Sequence, residues 1–464
     1  MRTPVPTVPT ALVEVEVADA PRRGVPRVEL DISGKAGETT RVGDKWVLGV
    51  GDGDASTWRT VGASLVRALN DAGESRSYDV LLTDAVDADR VRAFVLGAVL
   101  GGYKFKVTSA DEPAKVKTLR LVVEDLGFVE VFAAEARRAT DLALATALSR
   151  DLANMPSNIK DPQWLASTAA KQAAKVPGLG AVVRDEKWLA AQGFGGVLAV
   201  GGGSVRPPRL LELSWQPGSA AGHAPHIVLV GKGITFDTGG ISIKPAENMH
   251  LMRTDMSGGA AVIAAMLAIA RRSLPVRVTG LVPCAENHVS GTAYRPGDVV
   301  RHFGGTTTEI TNTDAEGRIV LADALAYAVR TLNPDLLVDV ATLTGAMKVS
   351  LGVRTGGLFA STDELAERVK TAGERVGENW WRMPLLADHA DAVKSEVADL
   401  RQCPPGPGGI TAALFLREFT NGLPWAHLDI AGPARAEQTY DEVVPGGTGF
   451  AARTLVEFVE SYTR

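Results

Sequence analysis

Seven consecutive residues, Asn312-Thr313-Asp314-Ala315-Glu316-Gly317-Arg318, constrain this chain more than any other stretch. They gather two carboxylates, an amide and a guanidinium immediately before an apolar-periodic run, Ile319 to Arg330, that reads as a helix. Asp314 and Glu316 are two apart, so an extended backbone sends both side chains to one side. Two anions so placed resist burial unless positive charge lies between them. Arg318 is one candidate for that charge, and an ordinary acidic cluster at a helix start is the plain alternative. A second acidic stretch argues against the plain alternative. Gly231-Lys232-Gly233-Ile234-Thr235-Phe236-Asp237-Thr238-Gly239-Gly240-Ile241-Ser242-Ile243-Lys244 follows the strand-like run Ile227 to Val230 and leads to Met252-Arg253-Thr254-Asp255. Together the two regions offer four carboxylates, Asp237, Asp255, Asp314 and Glu316, beside two lysines, Lys232 and Lys244.

Around these stretches, strand-like and helix-like patterns alternate. Leu12 to Val17 and Trp46 to Gly51 read as strands, Ser56 to Asn70 and Val91 to Leu100 as helices, and Asp79 to Leu82 and Leu119 to Val123 as strands. Val129 to Asn154 is a long Ala-, Leu- and Arg-rich helix ending before Met155-Pro156-Ser157-Asn158, where the proline favours a boundary. Beyond it, Pro162 to Ala174 reads as a helix; Ala181 to Arg184, Gly196 to Val200 and Arg209 to Ser214 read as strands. Ser257 to Ala270 is an apolar helix, Val276 to Pro283 and Leu336 to Val340 are strands, and Thr411 to Phe419 and Phe450 to Tyr462 are late helices. The expected fold is α/β. A smaller N-terminal α/β domain, residues 1–150 with the long helix, joins a larger α/β catalytic domain, residues 151–464, built on a mixed, mostly parallel sheet. Lys232, Asp237, Asp314, Glu316 and the loop Thr342 to Gly345 then follow predicted strands, at the carboxyl edge where open α/β sheets bind ligands.

Composition removes several classes. A chain of 464 residues with 45% hydrophobic and 22% charged residues is an ordinary globular protein. The net charge of -5 speaks against a generally basic nucleic-acid surface. Cys284 and Cys403 give no disulfide framework or thiolate metal site. No signal peptide is apparent, and the apolar run Gly258 to Ala270 is too short to span a bilayer, so a cytoplasmic protein is expected. The triple glycine Gly201 to Gly203 lacks the Lys-Ser/Thr of a phosphate loop. Of the seven histidines, His223, His226, His250, His288, His302, His389 and His427, none pairs at metal-ligand spacing, and each reads as surface or core. Ser242 and Ser257 lack the nucleophile elbow of a Ser-His-Asp hydrolase.

Four carboxylates in one crevice call for cations, and two divalent ions match four negative charges. Such ions lie about 3.5 to 4 Å apart in two-metal sites, a span that carboxylates can bridge. With no His or Cys in the set the ligands are mainly hard oxygens, suiting Mg, Mn or Zn. A lysine joins such a site only as the neutral amine, so Lys232 or Lys244 would have a greatly lowered pKa. The other lysine and Arg318 would stay positive and stabilise an oxyanion. Water activated in this way suits hydrolysis of an amide or a phosphoester.

These motifs resemble the leucyl (cytosol) aminopeptidase family of two-metal peptidases. Beside NTDAEGR and GKGITFDTGGISIK, the similarity takes in RDLANMPSN, MRTDMSG, ENHVSGTAYRPGDVV, VATLTGAM, WRMPL, GGITAALFL, HLDIAGPA and GGTGFAARTLVEF, over residues 150 to 464. The resemblance implies that Lys232, Asp237, Asp255 and Glu316 hold one metal ion. Asp237, Asp314 and Glu316 would hold the other, with the Asp314 carbonyl. It implies that Lys244 polarises the scissile carbonyl and that Arg318 anchors a bicarbonate acting as general base. One metal would bind the substrate's free α-amine, making the enzyme an exopeptidase. Met252, Asn312, Thr342, Leu343, Thr344, Gly345 and Ala431 match positions that shape the first-residue pocket or bind the peptide backbone. Peptide substrates, two divalent ions per subunit and a homohexamer with catalytic domains inside complete the expectation. Thr238 and His250 depart from the family's usual residues, which bears on fine substrate preference.

Two further readings stand beside this one. A DNA-binding regulator is the alternative from another class, opposed by the acidic balance. A two-metal phosphoesterase would need more basic residues than Lys244 and Arg318 to hold a dianion.

Overall fold

The computed structural model describes residues 8–107, 115–218 and 224–463. His223 and the first part of the Pro-rich start lie outside them. The described chain divides into two compact units, residues 1–151 with 436–446, and residues 152–435 with 447–464. That division falls within the last turn of the long helix Val129–Asn154. Residues 436–446 group with the first unit, a return that the sequence reading did not contain.

The first unit holds a six-stranded sheet in the order Glu14–Ala18, Thr118–Val122, Ser77–Leu81, Arg27–Asp31, Lys45–Gly49, Thr39–Val42. All neighbours run parallel except the last pair. Its helix Ala55–Ala72 begins at Asp54, whose carboxylate accepts from the Thr57 amide, and ends at Gly73 in the left-handed region. Helix ends leave amides and carbonyls unpaired, and these two residues satisfy them.

The second unit is organised on a nine-stranded mixed sheet. Its central four strands, Val278–Asn287, Ile227–Gly231, Leu336–Ala341 and Trp425–Asp429, run parallel. All four are buried along their whole length, as strands covered on both faces must be, so they read as apolar runs rather than alternations. Antiparallel strands, Arg209–Trp215 and Thr355–Ala360, flank them on either side. The short strand Gly233–Asp237 pairs with the far end of Val278–Asn287. Fold class and sheet character match the expectation.

One element differs. Gly195–Gly201 is a helix, not the strand expected at Gly196 to Val200. A five-residue apolar run is ambiguous between a strand and a buried helical turn. Here the buried Asp323 carboxylate accepts from the Val197 amide and stabilises the helix start. Glycines at 195 and 196 let that turn lie against neighbouring backbone, where a Cβ would meet the Arg301 carbonyl at 2.1 Å and the Ile319 carbonyl at 2.7 Å.

The apolar helix Ser257–Arg271 starts at the carboxyl edge of the sheet, and small residues let it come close. A Cβ at Gly258 would lie 2.0 Å from the Val340 carbonyl oxygen. The Gly259 amide donates to the Lys232 carbonyl at 2.8 Å, and the Lys232 amide donates to the Val340 carbonyl at 3.0 Å. The helix start, the Lys232 backbone and the end of Leu336–Ala341 are thereby fixed together.

Gly258→Ala should lower stability by about 1–3 kcal/mol through overpacking against backbone that has no room to yield. Urea denaturation of the full chain checks this, and an unchanged midpoint contradicts the close helix-to-sheet approach.

Candidate metal centre

The chain turns at the carboxyl edge deliver the expected cluster. Lys232 directly follows strand Ile227–Gly231, Asp237 ends the next strand, and Asp255 follows the short helical turn Met249–Thr254. Glu316 is the first residue of helix Glu316–Tyr327, where the helix dipole favours a negative charge. Asp314 therefore precedes a helix start, and the extended geometry expected for Asp314 and Glu316 is not adopted.

Asp237, Asp255 and Glu316 are buried, and each offers an oxygen within 4.8 Å of the others. The two lysines lie among the four acids. Lys232 Nζ is 2.8 Å from Asp255 Oδ2 and 2.8 Å from Glu316 Oε1. Lys244 Nζ is 2.7 Å from Asp237 Oδ2 and also pairs with Asp314. The counter-charge is thus the lysine pair. Arg318, expected from sequence as a candidate, instead donates to the Gln402 carbonyl at 2.8 Å.

Four carboxylates against two ammonium groups leave the cluster formally two charges negative, with Asp237, Asp255 and Glu316 buried and Asp314 partly exposed. Burial pushes the Asp237 carboxyl up to about 7, with Glu316 adding to the push and Lys244 and Lys232 opposing it. Burial likewise raises Asp255 and Glu316. For Lys232, burial alone would lower the ammonium, but Asp255, Glu316 and Asp237 outweigh it and raise it. Lys244 moves the same way against its own burial, with Asp237 the leading partner.

The donor set fits divalent cations. Asp255 Oδ2 and Glu316 Oε1 are buried, and among the described residues the Lys232 ammonium, 2.8 Å from each, is the partner they share. One ammonium divided between two buried carboxylates leaves acceptor capacity on both that a divalent cation can take. The remaining oxygens are held firmly. Asp237 Oδ1 accepts from the Gly239 amide and from Asn287 Nδ2, both at 2.8 Å, and Asp255 Oδ1 accepts from Thr342 Oγ1 at 2.7 Å. Gly317 makes room for the lysine, since a Cβ there would fall 2.6 Å from Lys232 Cε. Arg318 is buried with its Nε unpartnered, a guanidinium with a donor to spare for a small anion.

The residues matched to substrate binding surround this cluster. The Thr342 carbonyl accepts from Lys232 Nζ at 3.0 Å, and Leu343, Thr344 and Ala431 are hydrogen-bonded to Asp429. Gly345 opens helix Gly345–Leu351 and is exposed. Asn312 Oδ1 accepts from the Asp314 amide at 2.9 Å. Met252, half-buried, offers its carbonyl to the Asp255 amide at 3.2 Å. Among the described histidines, His302 and His427 are buried against Asp323 and Asp339, and His226 against Thr279.

Three positioning residues were missed from sequence. Gln402, wholly buried, accepts through Oε1 from the Thr311 and Asn312 amides and donates through Nε2 to the Ala315 carbonyl. Asn287 Nδ2 bridges Asp237 to the Thr313 carbonyl. The Tyr294 hydroxyl donates to that same carbonyl at 2.9 Å. Asn287 and Tyr294 lie inside a motif quoted for the resemblance, which was the available signal; Gln402 lies outside those motifs.

A family model described as "Cytosol aminopeptidase family, catalytic domain" matches residues 147–456, well over half the chain. The chain belongs to the cytosol aminopeptidase family. Curated relatives agree. A "Probable cytosol aminopeptidase" of Desulfovibrio desulfuricans is 46% identical over 372 residues, covering 79% of this chain and 74% of the relative. A protein of the same description from Nocardia farcinica is 44% identical over 448 residues, covering 92% and 86%. Among solved structures, "Bottromycin maturation enzyme BotP in complex with Mn" superposes with a TM-score of 0.87 at 39% identity, covering 95% of this chain and 100% of that one. As a cytosol aminopeptidase the chain is a metallo-exopeptidase, a hydrolase that acts on peptides with a divalent metal cofactor. No helix among the described residues is long and apolar enough to cross a membrane.

The metal-free cluster carries a pH signature. The Asp237 carboxyl sits at about 7 in the fold against an ordinary 3.8, so its contribution to stability is fully present below 3.8 and is lost as pH rises through 7. Asp255 and Glu316 shift in the same direction. Lys232 and Lys244, shifted upward, stay charged throughout and leave that slope alone. With a chelator present, wild type should lose stability relative to Asp237→Asn across this window, and saturating manganese should abolish the loss. A flat difference in thermal midpoint contradicts the assignment.

Proposed function

We propose that this chain removes unblocked N-terminal residues, apolar ones preferred, from peptides, using two divalent ions held by the acid and lysine cluster. The observation that carries the reading is the convergence of the buried Asp237, Asp255 and Glu316 carboxylates within 4.8 Å of one another, with Lys232 and Lys244 among them. Lys232, Asp237, Asp255 and Glu316 would hold one ion, and Asp237, Asp314 with its carbonyl, and Glu316 the other. Bound, the ions supply Lewis acidity, an activated water and an anchor for the substrate's free amine. Manganese, present in the complex of the bottromycin maturation enzyme, zinc and magnesium are the candidate metals, the first two favoured.

The chain's own groups then have separate tasks. Lys232 would give up its proton on metal loading and become a neutral ligand. Lys244, half-buried beside Asp237 and Asp314, keeps its charge and faces the developing oxyanion. Arg318 would bind bicarbonate through its free donor, and the bicarbonate would serve as general base. Met252, Asn312, Thr342, Leu343, Thr344, Gly345 and Ala431 would shape the pocket for the first residue and bind the peptide backbone. The apolar Met252 and Leu343 motivate the preference for apolar residues.

All these residues belong to the second unit. Residues 151–464 would thus form the catalytic domain, and residues 1–150 would serve assembly or regulation. A homohexamer is the expected form, and the naming of the curated relatives as cytosol aminopeptidases supports a cytoplasmic setting. No observation favours the DNA-binding alternative, and the net charge of -5 weighs against it.

Leucine anilide should be cleaved in a reaction that a chelator stops and manganese or zinc restores, whereas N-acetyl-leucine anilide should resist. Equal turnover of the two substrates would remove the amine-to-metal part of the reading. Lys244→Ala should keep both metals and lose about 10²- to 10³-fold in kcat. Loss of the metals instead would make Lys244 a ligand and exchange the two lysine roles.

A further inference from the structure

Asp429 ends the central strand Trp425–Asp429, is 1% exposed, and has no part in the metal cluster. Its carboxylate takes four donors. Oδ1 accepts from the Leu343 amide at 3.2 Å and the Ala431 amide at 3.1 Å. Oδ2 accepts from the Thr344 amide at 3.1 Å and the Thr344 hydroxyl at 2.7 Å. Two loops meet there, one following strand Leu336–Ala341 and the other following Trp425–Asp429 itself. Their backbones share one direct link nearby, the Ile430 amide donating to the Ala341 carbonyl at 2.8 Å.

The chemistry of this junction is specific. Four donors converge on one side chain, and an ionised carboxylate accepts at both oxygens without presenting a donor. An amide in its place would turn an N–H toward other N–H groups. The three residues so bound, Leu343, Thr344 and Ala431, are among those read as framing the substrate's first residue. Thr342, next to Leu343, donates its hydroxyl to Asp255. The pocket wall is thus referenced to the metal cluster through Thr342 and to the opposite loop through Asp429.

We propose that Asp429 is a positioning residue for specificity: it fixes the spacing between the Leu343–Thr344 backbone and Ala431, and so sets which N-terminal side chains the pocket accepts. The proposal rests on the aminopeptidase reading above. It gives Asp429 no contact with the metals or the reacting atoms. Disturbing it should therefore alter substrate binding and selectivity more than turnover.

The test uses the full, metal-loaded chain and unblocked amides of alanine, leucine and phenylalanine. Wild-type turnover of these substrates tests the underlying reading, and the ratio of Asp429→Asn to wild type tests this one. Asp429→Asn should retain the wild-type metal content, raise KM about tenfold or more, and change the ranking of the three amides, with kcat on the best substrate moving less than KM. Asp429→Glu, which keeps the charge and both acceptor oxygens on a longer stem, should keep the metal content and shift KM and the ranking of the amides as well. Unchanged KM and ranking in Asp429→Asn would overturn the proposal. So would an equal kcat loss on all three amides accompanied by metal loss, which would place the effect at the metal cluster. Should Asp429→Asn fail to fold, Asp429→Glu decides, and wild-type KM and ranking in that variant overturn the proposal.

Discussion

Repulsion among closely grouped carboxylates, three of the four buried, is the constraint on which the rest of the second unit depends. Asp237, Asp255, Asp314 and Glu316 reach the same place from three separate chain segments, and two ammonium groups offset only half their charge. Like charges in a poorly hydrated site raise each other's carboxyl pKa and cost folding free energy. The chain keeps them together by fixing their oxygens with Asn287, Thr342 and the Gly239 amide, and by sharing Lys232 between Asp255 and Glu316. A cluster that its own two lysines leave formally two charges negative is one that divalent cations would stabilise.

The parallel sheet provides the means. Four fully buried strands place their carboxyl ends side by side, and each following residue or loop becomes part of the cluster or its surroundings. Lys232, Thr342 and Ile430-Ala431 arise this way. Glycine at 258 and 317 removes bulk where a helix must approach the sheet or the lysine must pass a helix. Gln402 then ties the acidic loop from a distant segment, with hydrogen bonds on both flanks of Asp314. The residues proposed as metal ligands, oxyanion group and pocket loops share one hydrogen-bonded frame, as a two-metal hydrolase would require.

Much of this was legible in the sequence because the signals are local. Strands buried on both faces appear as apolar runs, helices as periodic ones, and the acids and lysines as dense clusters at their ends. The helix Gly195–Gly201 was misread because five apolar residues carry no period long enough to separate strand from helix; Asp323, more than 120 residues away, decides it. Arg318 was offered as the counter-charge because it is near Asp314 and Glu316 in sequence, whereas the true partners come from residues 232 and 244. Gln402 and Asp429 were passed over for the same reason. Their roles rest on hydrogen bonds to segments 85 to 90 residues distant, which neither spacing nor composition encodes.

The central claim is that this cluster is a dinuclear cation site, and anomalous diffraction from crystals grown with manganese tests it most directly. The account predicts two peaks about 3.5 to 4 Å apart among Asp237, Asp255, Asp314 and Glu316, with Lys232 Nζ in contact with one of them. Absence of peaks there, with Lys232 still ion-paired to Asp255 and Glu316, would contradict it.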